Sequence, residues 1–241
     1  MSGHSKWAQI KHKKAASDAK KGTLFSKMVR LIMVAAKDKG GGPTMNPKLR
    51  MAIEKARSIG MPKDNIERAI VRGSIAMEAG SLEEVFYEAY GPGGAALLIH
   101  GITDSSNRTT NEIKHALSEH GGKLAGKGSV EWLFEKLGAV DIPQNKNTIP
   151  RDDLMLILID AGAKDVKDYE GGVTAYIAPQ SAESYKETLD KKNIISENAR
   201  IDYLPKTPLI LNEKDEALLE KLITALNEDE DIQEIYTNAE N

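Results

Sequence analysis

The first 77 residues hold the side chains whose type and spacing most clearly indicate a chemistry. They carry 17 Lys and Arg against 5 Asp and Glu, a net charge of +12. The rest of the chain carries 16 basic and 31 acidic side chains, a net charge of −15. Cations repeated along helices neutralise phosphates and release condensed counterions. Asymmetry of this size is typical of a polyanion-binding module joined to another part.

The candidate nucleic-acid-binding residues lie mostly in this basic segment. Trp7 lies among the cations and could stack on bases or ribose. Arg108 stands at the predicted start of a helix, where a cation opposes the helix dipole, so a partner or phosphate could face it. The alternatives are a solvated basic face and ordinary helix capping. The set comprises Lys6, Trp7, Lys11, Lys13, Lys14, Lys20, Lys21, Lys27, Arg50, Arg57, Lys63, Arg68, Arg72 and Arg108.

Other kinds of site have weak signals. Residues 121–127 read G-x-x-x-x-G-K, but Gly128 stands where a magnesium-binding hydroxyl is needed, and a helix precedes the motif instead of a strand. The five histidines lack metal-ligand spacing, and residues 227–231 lack the glycine and glutamate of a calcium loop. No G-x-S-x-G elbow occurs. We predict no catalytic residue, no metal ligand and no cofactor.

Length and composition indicate a folded protein of two or three small domains. The chain has 241 residues, 40% of them hydrophobic, and no cysteine. The absence of cysteine excludes disulfides, thiolate metal sites and a cysteine nucleophile. The longest apolar runs, residues 31–36 and 154–159, are too short to cross a bilayer. The sequence predicts a cytoplasmic protein without a membrane partner.

A helical domain is predicted over residues 1–79, because apolar residues recur there at helical spacing. Capping and breaking residues mark three helices within it, and we expect a unit of three or four helices. The signals are Thr23 and residues 40–43 for the first helix, Asn46-Pro47 and Gly60 for the second, and Met61-Pro62 and Gly73 for the third.

The pattern from residue 81 onward predicts α/β structure. Residues 135–206 contain the order β-α-β-β-α-β of a ferredoxin-like unit, which we expect to be inserted into a domain formed by residues 80–134 and 207–241. The predicted strands cover residues 85–90, 95–102, 129–134, 138–142, 165–170, 173–178, 196–203 and 232–236. The predicted helices cover residues 107–120, 150–161, 182–192 and 213–227. The fold class is therefore α+β and multidomain, with a helical domain and two α/β domains.

Several motifs resemble the YebC family, in the order in which the family has them. They are residues 1–7 (MSGHSKW), 61–70 (MPKDNIERAI), 90–94 (YGPGG), 107–109 (NRT), 120–122 (HGG) and 128–130 (GSV). The match runs from residue 1 to about 134, with weaker motifs beyond. Residues 103–106 and 41–43 depart slightly from the family pattern, which weakens any phosphate contact assigned to the first of these loops.

The resemblance implies three domains, with the last inserted into the middle one. It also implies a cytoplasmic, non-enzymatic DNA-binding transcriptional regulator that uses the basic surface. Some relatives are mitochondrial translational activators or ribosome-associated factors, so a ribosome-bound or RNA-bound translation factor is the alternative function. A second alternative is a protein–protein adaptor whose acidic α/β domains bind a protein partner.

Overall fold

The computed structural model describes residues 18–39, 42, 44–75, 82–169 and 171–240. Contacts group residues 135–204 into one compact unit, called here the inserted unit. The other described residues form a second compact unit, the main unit. The predicted boundaries of three domains stay a prediction.

The helices and strands alternate through most of the described chain. The helices are α1 (Asp18–Lys39), α2 (Pro47–Ser58), α3 (Lys63–Ser74), α4 (Ser106–Glu119), α5 (Arg151–Asp160), α6 (Ala182–Lys191) and α7 (Glu213–Glu228). The strands are β1 (Glu83–Tyr90), β2 (Ala96–Thr103), β3 (Lys123–Leu124), β4 (Phe134–Pro143), β5 (Asp165–Tyr169), β6 (Gly172–Ile177), β7 (Glu197–Pro205), β8 (Leu209–Ile210), β9 (Ile232–Thr237) and β10 (Ala239–Glu240). The α+β fold class is confirmed.

Helices α1, α2 and α3 pack around their own apolar core, which includes Ile32, Leu49 and Ile66. The Asn46 side chain accepts a hydrogen bond from the amide of Leu49 at 3.1 Å, and Pro47 occupies the first turn of α2. These two residues satisfy the helix start as their sequence predicts. The local signals therefore fix where α2 begins, and the shared apolar core holds the three helices together.

One predicted helix boundary in this part is wrong. Thr23 does not cap α1, because the helix already includes Asp18 and continues through Gly22; a buried apolar face stabilises a helix through weak formers. The third helix closes near Gly73 as predicted, since α3 ends at Ser74, and Gly73 is buried within its last turn. A Cβ added to Gly73 would lie 2.5 Å from the carbonyl oxygen of Met33. Gly73 therefore permits the close crossing of α3 and α1.

The sheet of the main unit has the order β3-β1-β2-β9, and each strand runs antiparallel to its neighbour. Helices α4 and α7 cover one face, where Ile99, Ile113 and Leu222 belong to one core. Ile102 faces the other side and packs with Met33 and Val34 of α1. The helical part and the sheet thus belong to one packed body.

The sheet of the inserted unit has the order β5-β6-β4-β7. Strand β6 pairs antiparallel with both β4 and β5. Helices α5 and α6 cover one face through a core that includes Ile142, Leu154 and Leu189. This strand order and the β-α-β-β-α-β connection confirm the predicted ferredoxin-like unit.

One predicted strand is wrong. Residues 129–134 form a short 3₁₀ turn, Glu131–Leu133, followed by the first residue of β4. The Glu88 carboxylate accepts hydrogen bonds from the amides of Gly128, Val130 and Glu131. These amides are therefore not available to a strand ladder, and the chain turns instead.

Within the described residues, every helix is too short or too polar to cross a membrane.

Candidate nucleic-acid interface

Five cations of the helical part contact the α/β part of the main unit. Their acceptors are two backbone carbonyls and three carboxylates, at distances of 2.5 to 3.2 Å. The pairs are Lys27 with the Asn227 carbonyl, Lys37 with the Leu82 carbonyl, Arg30 with Asp231, Lys48 with Glu84, and Lys55 with Glu234. We call these five cations and their acceptors the docking seam. Part of the charge asymmetry of the sequence is therefore balanced inside the protein.

Asp231 is the most buried carboxylate of the docking seam, with 2% of its surface exposed. Arg30 contacts one of its oxygens at 2.9 Å, and Arg108 donates to the other at 2.7 Å. The hydroxyls of Thr103 and Thr109 also donate to it, at 3.0 and 2.7 Å. Burial raises the pKa of Asp231, but these hydrogen bonds and the charge of Arg30 outweigh burial and lower the pKa overall.

Glu84 is a second acceptor with two partners. One oxygen accepts from His100 at 2.8 Å and the other from Lys48 at 2.6 Å. The hydrogen bond from His100, followed by that from Lys48, lowers the pKa of Glu84 to about 2. The His100 ring stacks on Phe86, with centroids 4.7 Å apart. The sheet therefore holds this carboxylate in its charged form where α2 docks.

Helix α2 carries two basic flanks. Lys48 and Lys55 are seven residues apart, almost two full turns, so they lie on the same side of the helix, which is the side that contacts Glu84 and Glu234. Arg50 and Arg57 are also seven residues apart, and helical geometry places them on the opposite flank. Arg57 is exposed and Arg50 is partly buried. One flank therefore docks the helix and the other lies outward.

Helix α3 adds a second outward group. Lys63, Arg68 and Arg72 are exposed, while Ile66 and Gly73 on the other side are buried. Arg68 and Arg72 are four residues apart and are therefore neighbours on the helix surface. Local contacts orient two of these cations: Lys63 lies 3.5 Å from Glu67, and Arg68 donates to the Asn65 side chain and to the Asp64 carbonyl. We call Lys21, Arg50, Arg57, Lys63, Arg68 and Arg72 the outward cations.

Two residues of the predicted set have internal partners. Lys27, predicted to contact phosphate, has 6% of its surface exposed and donates to the Asn227 carbonyl in the docking seam. Its stem packs in the interior because α7 supplies an acceptor for its ammonium group. Arg108 donates to Asp104 at 2.9 Å and to Asp231 at 2.7 Å. The hydrogen bond with Asp231, followed by that with Asp104, raises the pKa of Arg108 above its usual value.

The remaining predicted residues divide into two groups. Lys20 lies in α1, and Lys21 beside it is exposed. Lys6, Trp7, Lys11, Lys13 and Lys14 lie outside the described residues. The phosphate-binding role of all these residues stays a prediction.

The G-x-x-x-x-G-K stretch does not form a phosphate-binding loop. Its neighbouring amides already bind Glu88, which is 5% exposed and whose bonds to Gly128, Val130 and Glu131 span 2.5 to 3.0 Å. Burial raises the pKa of Glu88, but the backbone donors outweigh burial and lower it overall. Within the stretch, Lys123 and Leu124 pair with β1 and the Ala125 amide donates to the Glu88 carbonyl, so these residues extend the sheet.

Sequence reasoning missed the acceptors of the docking seam. Asp231 lies more than 100 residues from both Arg108 and Thr109, and no short-range pattern connects them. The two flanks of α2 did carry a signal, because the seven-residue spacing of each pair separates them around the buried stripe of Leu49 and Ala56. Sequence reasoning also did not predict a cluster of three carboxylates, those of Glu112, Asp229 and Asp231, whose oxygens lie within 4.8 Å of one another.

The fold is that of a multidomain α+β protein with a cationic helical part, and comparisons with known proteins agree with it. The sequence-family model of the TACO1/YebC protein N-terminal domain matches residues 5–76. The family model of the TACO1/YebC second and third domain matches residues 82–239. The chain belongs to the TACO1/YebC family.

Similar proteins cover almost the whole chain. A probable transcriptional regulatory protein of Fervidobacterium nodosum is 46% identical over 238 residues, which are 99% of this chain and 93% of the relative. Another, of Chlorobium chlorochromatii, is 46% identical over 241 residues, with 100% and 96% covered. The crystal structure of a conserved hypothetical protein from Aquifex aeolicus is 41% identical and superposes with a TM-score of 0.89, over 98% of this chain and 97% of that one.

Proposed function

We propose that this chain is a non-enzymatic cytoplasmic regulator of gene expression that binds duplex DNA through the outward cations. The observation that carries the proposal is the division of the basic residues. Five cations pair with the α/β part, and a separate group on α1, α2 and α3 lies outward. The names of the relatives, probable transcriptional regulatory proteins, support the regulatory role.

The outward group is chemically suited to phosphate. Four of its six members are arginines, whose planar guanidinium groups bind phosphate oxygens through paired hydrogen bonds. Arg50 and Arg57 on α2 and Arg68 and Arg72 on α3 are spaced by whole helical turns, so each pair can follow a repeating backbone. Contacts of this kind position a protein on DNA without reading its sequence.

Salt dependence tests the proposal directly. If six phosphates are neutralised, the logarithm of the affinity for duplex DNA falls with the logarithm of the salt concentration at a slope of about −5. Contacts from the basic residues before Asp18 would steepen it. The triple variant Arg57→Gln, Arg68→Gln, Arg72→Gln should flatten the slope by about 3. Fluorescence anisotropy of a labelled duplex, measured across a salt series, gives both slopes.

A matched control removes the same number of positive charges elsewhere. Lys191, Lys192 and Lys214 are exposed and lie outside the helical part. Changing all three to glutamine should leave the slope unchanged. Equal effects of the two triple variants, or a flat salt dependence of the unmodified protein, would contradict binding through the outward cations.

The translation-factor alternative makes a different prediction for the native complex. Sedimentation of the protein from gently lysed cells through a sucrose gradient separates the two. Migration with ribosomes that RNase abolishes assigns the protein to translation, whereas release by DNase alone supports the DNA-binding proposal.

The adaptor alternative needs an acidic surface that can bind a basic partner. Glu84, Glu234 and Asp231 already pair with cations of the same chain. These three carboxylates therefore do not contribute to such a surface.

A further inference from the structure

Trp132 is an exposed tryptophan that the structure holds in place. Its side chain lies in the main unit on the turn Glu131–Leu133, and the residue is 64% exposed. Large aromatic side chains rarely lie this open on a protein surface. The indole N–H donates to the Ser129 carbonyl at 3.0 Å, which fixes the ring orientation. An exposed and oriented indole is a platform on which a planar group can stack.

The turn that carries Trp132 is held by two residues, Glu88 and Lys206. The Glu88 carboxylate binds the amides of Gly128, Val130 and Glu131 before and within the turn. Lys206 donates its amide to the Leu133 carbonyl and its ammonium to the Trp132 carbonyl, both at 2.8 Å. Because the turn is already ordered, a ligand that binds here loses little free energy to the ordering of loops and side chains.

Within the otherwise acidic α/β part, lysines lie on the segments that contact the turn of Trp132. The Tyr90 hydroxyl donates at 3.1 Å to the same Ser129 carbonyl that binds Trp132, so the two aromatic side chains meet at one oxygen. The Lys123 ammonium lies 5.9 Å from the centre of the Tyr90 ring. Lys127 is exposed on the loop between them. Tyr90, Lys123 and two glycine turns line an open cleft of about 560 Å³ beside this group.

The nearby carboxylates leave this cationic character in place. Glu88 is buried against three backbone amides and does not face the surface. Glu131 and Glu135 are the exposed carboxylates near Trp132 in the sequence, against the three exposed lysines Lys123, Lys127 and Lys206. The local balance therefore favours an anionic ligand with a planar group.

We propose that Trp132, with Lys123 and Lys127, forms a second nucleic-acid site, one that binds unpaired nucleotides of a single strand. The indole stacks on an exposed base and the two lysines contact the flanking phosphates. A base inside a duplex has no open face for the indole, so the site selects single-stranded nucleic acid. This inference rests on the proposed nucleic-acid function but uses none of the outward cations.

Tryptophan fluorescence reports on this site. The chain has two tryptophans, Trp7 and Trp132, so the Trp7→Phe variant makes Trp132 the sole reporter and serves as the reference protein. We expect twelve-nucleotide oligo(U) and oligo(dT) to quench its emission, and a duplex of the same length to leave it unchanged. If one of the two oligonucleotides quenches the emission at a lower concentration than the other, that preference identifies RNA or DNA as the strand that the site binds.

Affinity measurements separate stacking from a structural role. Trp132→Ala should weaken single-strand binding about tenfold, and Trp132→Phe should keep most of the affinity because it keeps a ring. Lys123→Gln should weaken it less. Ile210→Ala is the matched control, since Ile210 is 81% exposed and lies outside the site. Unchanged single-strand affinity in Trp132→Ala, or equal quenching by duplex and single strand, would overturn the proposal.

The triple arginine variant distinguishes the two proposals. If duplex binding does not depend on Arg57, Arg68 and Arg72 but Trp132 is still quenched by single strands, the interface on the helices is wrong and the stacking site stands. If the duplex binds as proposed and Trp132→Ala has no effect, only the stacking site is wrong.

Discussion

The docking seam draws its cations from α1 and α2, whereas the outward cations lie on α1, α2 and α3, and the two sets have different roles. Four of the five cations of the seam are lysines, and each contacts a carbonyl or carboxylate of the α/β part. Four of the six outward cations are arginines. A lysine is a compact charge on a flexible stem and suits a single acceptor, whereas the arginine fork suits the paired oxygens of a phosphate. A basic segment is therefore not one surface, and its net charge overstates what is available to a ligand.

Removal of Asp231 should have the largest effect on this division. Asp231→Ala leaves Arg30, Arg108 and two buried threonine hydroxyls without their common acceptor. We expect the free energy of unfolding of the main unit to fall by about 3 kcal/mol. The arginines are partly exposed and can turn to water, which keeps the loss below that of a fully buried pair. Urea unfolding measures it.

The control for Asp231 is its neighbour. Glu230 is exposed, and Glu230→Ala should change the free energy of unfolding by less than about 0.5 kcal/mol. A comparable loss in both variants would show that Asp231 does not join the helical part to the sheet.

Acid should weaken the docking seam through Glu84. The pKa of this group falls from 4.5 to about 2 in the folded protein. Because the folded pKa is depressed, the stabilising effect of Glu84 is complete above about pH 4.5 and is lost as the pH falls towards 2. Since Glu84 is partly exposed and water screens its charge, we expect a loss of about 1–2 kcal/mol.

The measurement for Glu84 is urea unfolding at a series of pH values. Glu84→Gln should make the free energy of unfolding less dependent on pH between 4.5 and 2. Glu220→Gln removes an exposed glutamate from α7 and should leave the pH profile as it is in the unmodified protein. An unaltered profile in Glu84→Gln would contradict the role assigned to this carboxylate.

The two flanks of α2 give the smallest effects and the sharpest contrast. Lys48→Gln with Lys55→Gln should lower the free energy of unfolding by about 1 kcal/mol and leave the salt slope of DNA binding unchanged. Arg50→Gln with Arg57→Gln should flatten that slope by about 2 and change stability by less than about 0.5 kcal/mol. Each double variant is the control for the other. The division into seam and outward surface fails if both pairs affect the same measurement.

Local signals in the sequence predicted most of the fold. Asn46 and Pro47 start α2 because a side-chain acceptor and a fixed φ act within one turn. The strand and helix order of the inserted unit was predicted for the same reason, since alternating patterns are set over a few residues. The close approach of Gly73 to Met33 was not predicted, because it depends on a distance to another helix.

The candidate site was predicted in kind but not in detail. Composition showed that the helical segment is basic, yet it could not separate Lys27, which is buried against Asn227, from Lys21, which is exposed. Composition also did not single out Trp132, because its exposure and its hydrogen bond to Ser129 exist only in the folded chain.

The sequence by itself determined the elements, their order and the sign of the charge on each part, since these depend on residue type and short-range spacing. The tertiary structure alone decided which cations lie outward. Asp231 and Glu234 approach α1 and α2 from near the end of the chain, and Glu88 reaches a loop about 40 residues away. Contacts over such separations form only when several elements pack together, so no local pattern encodes them.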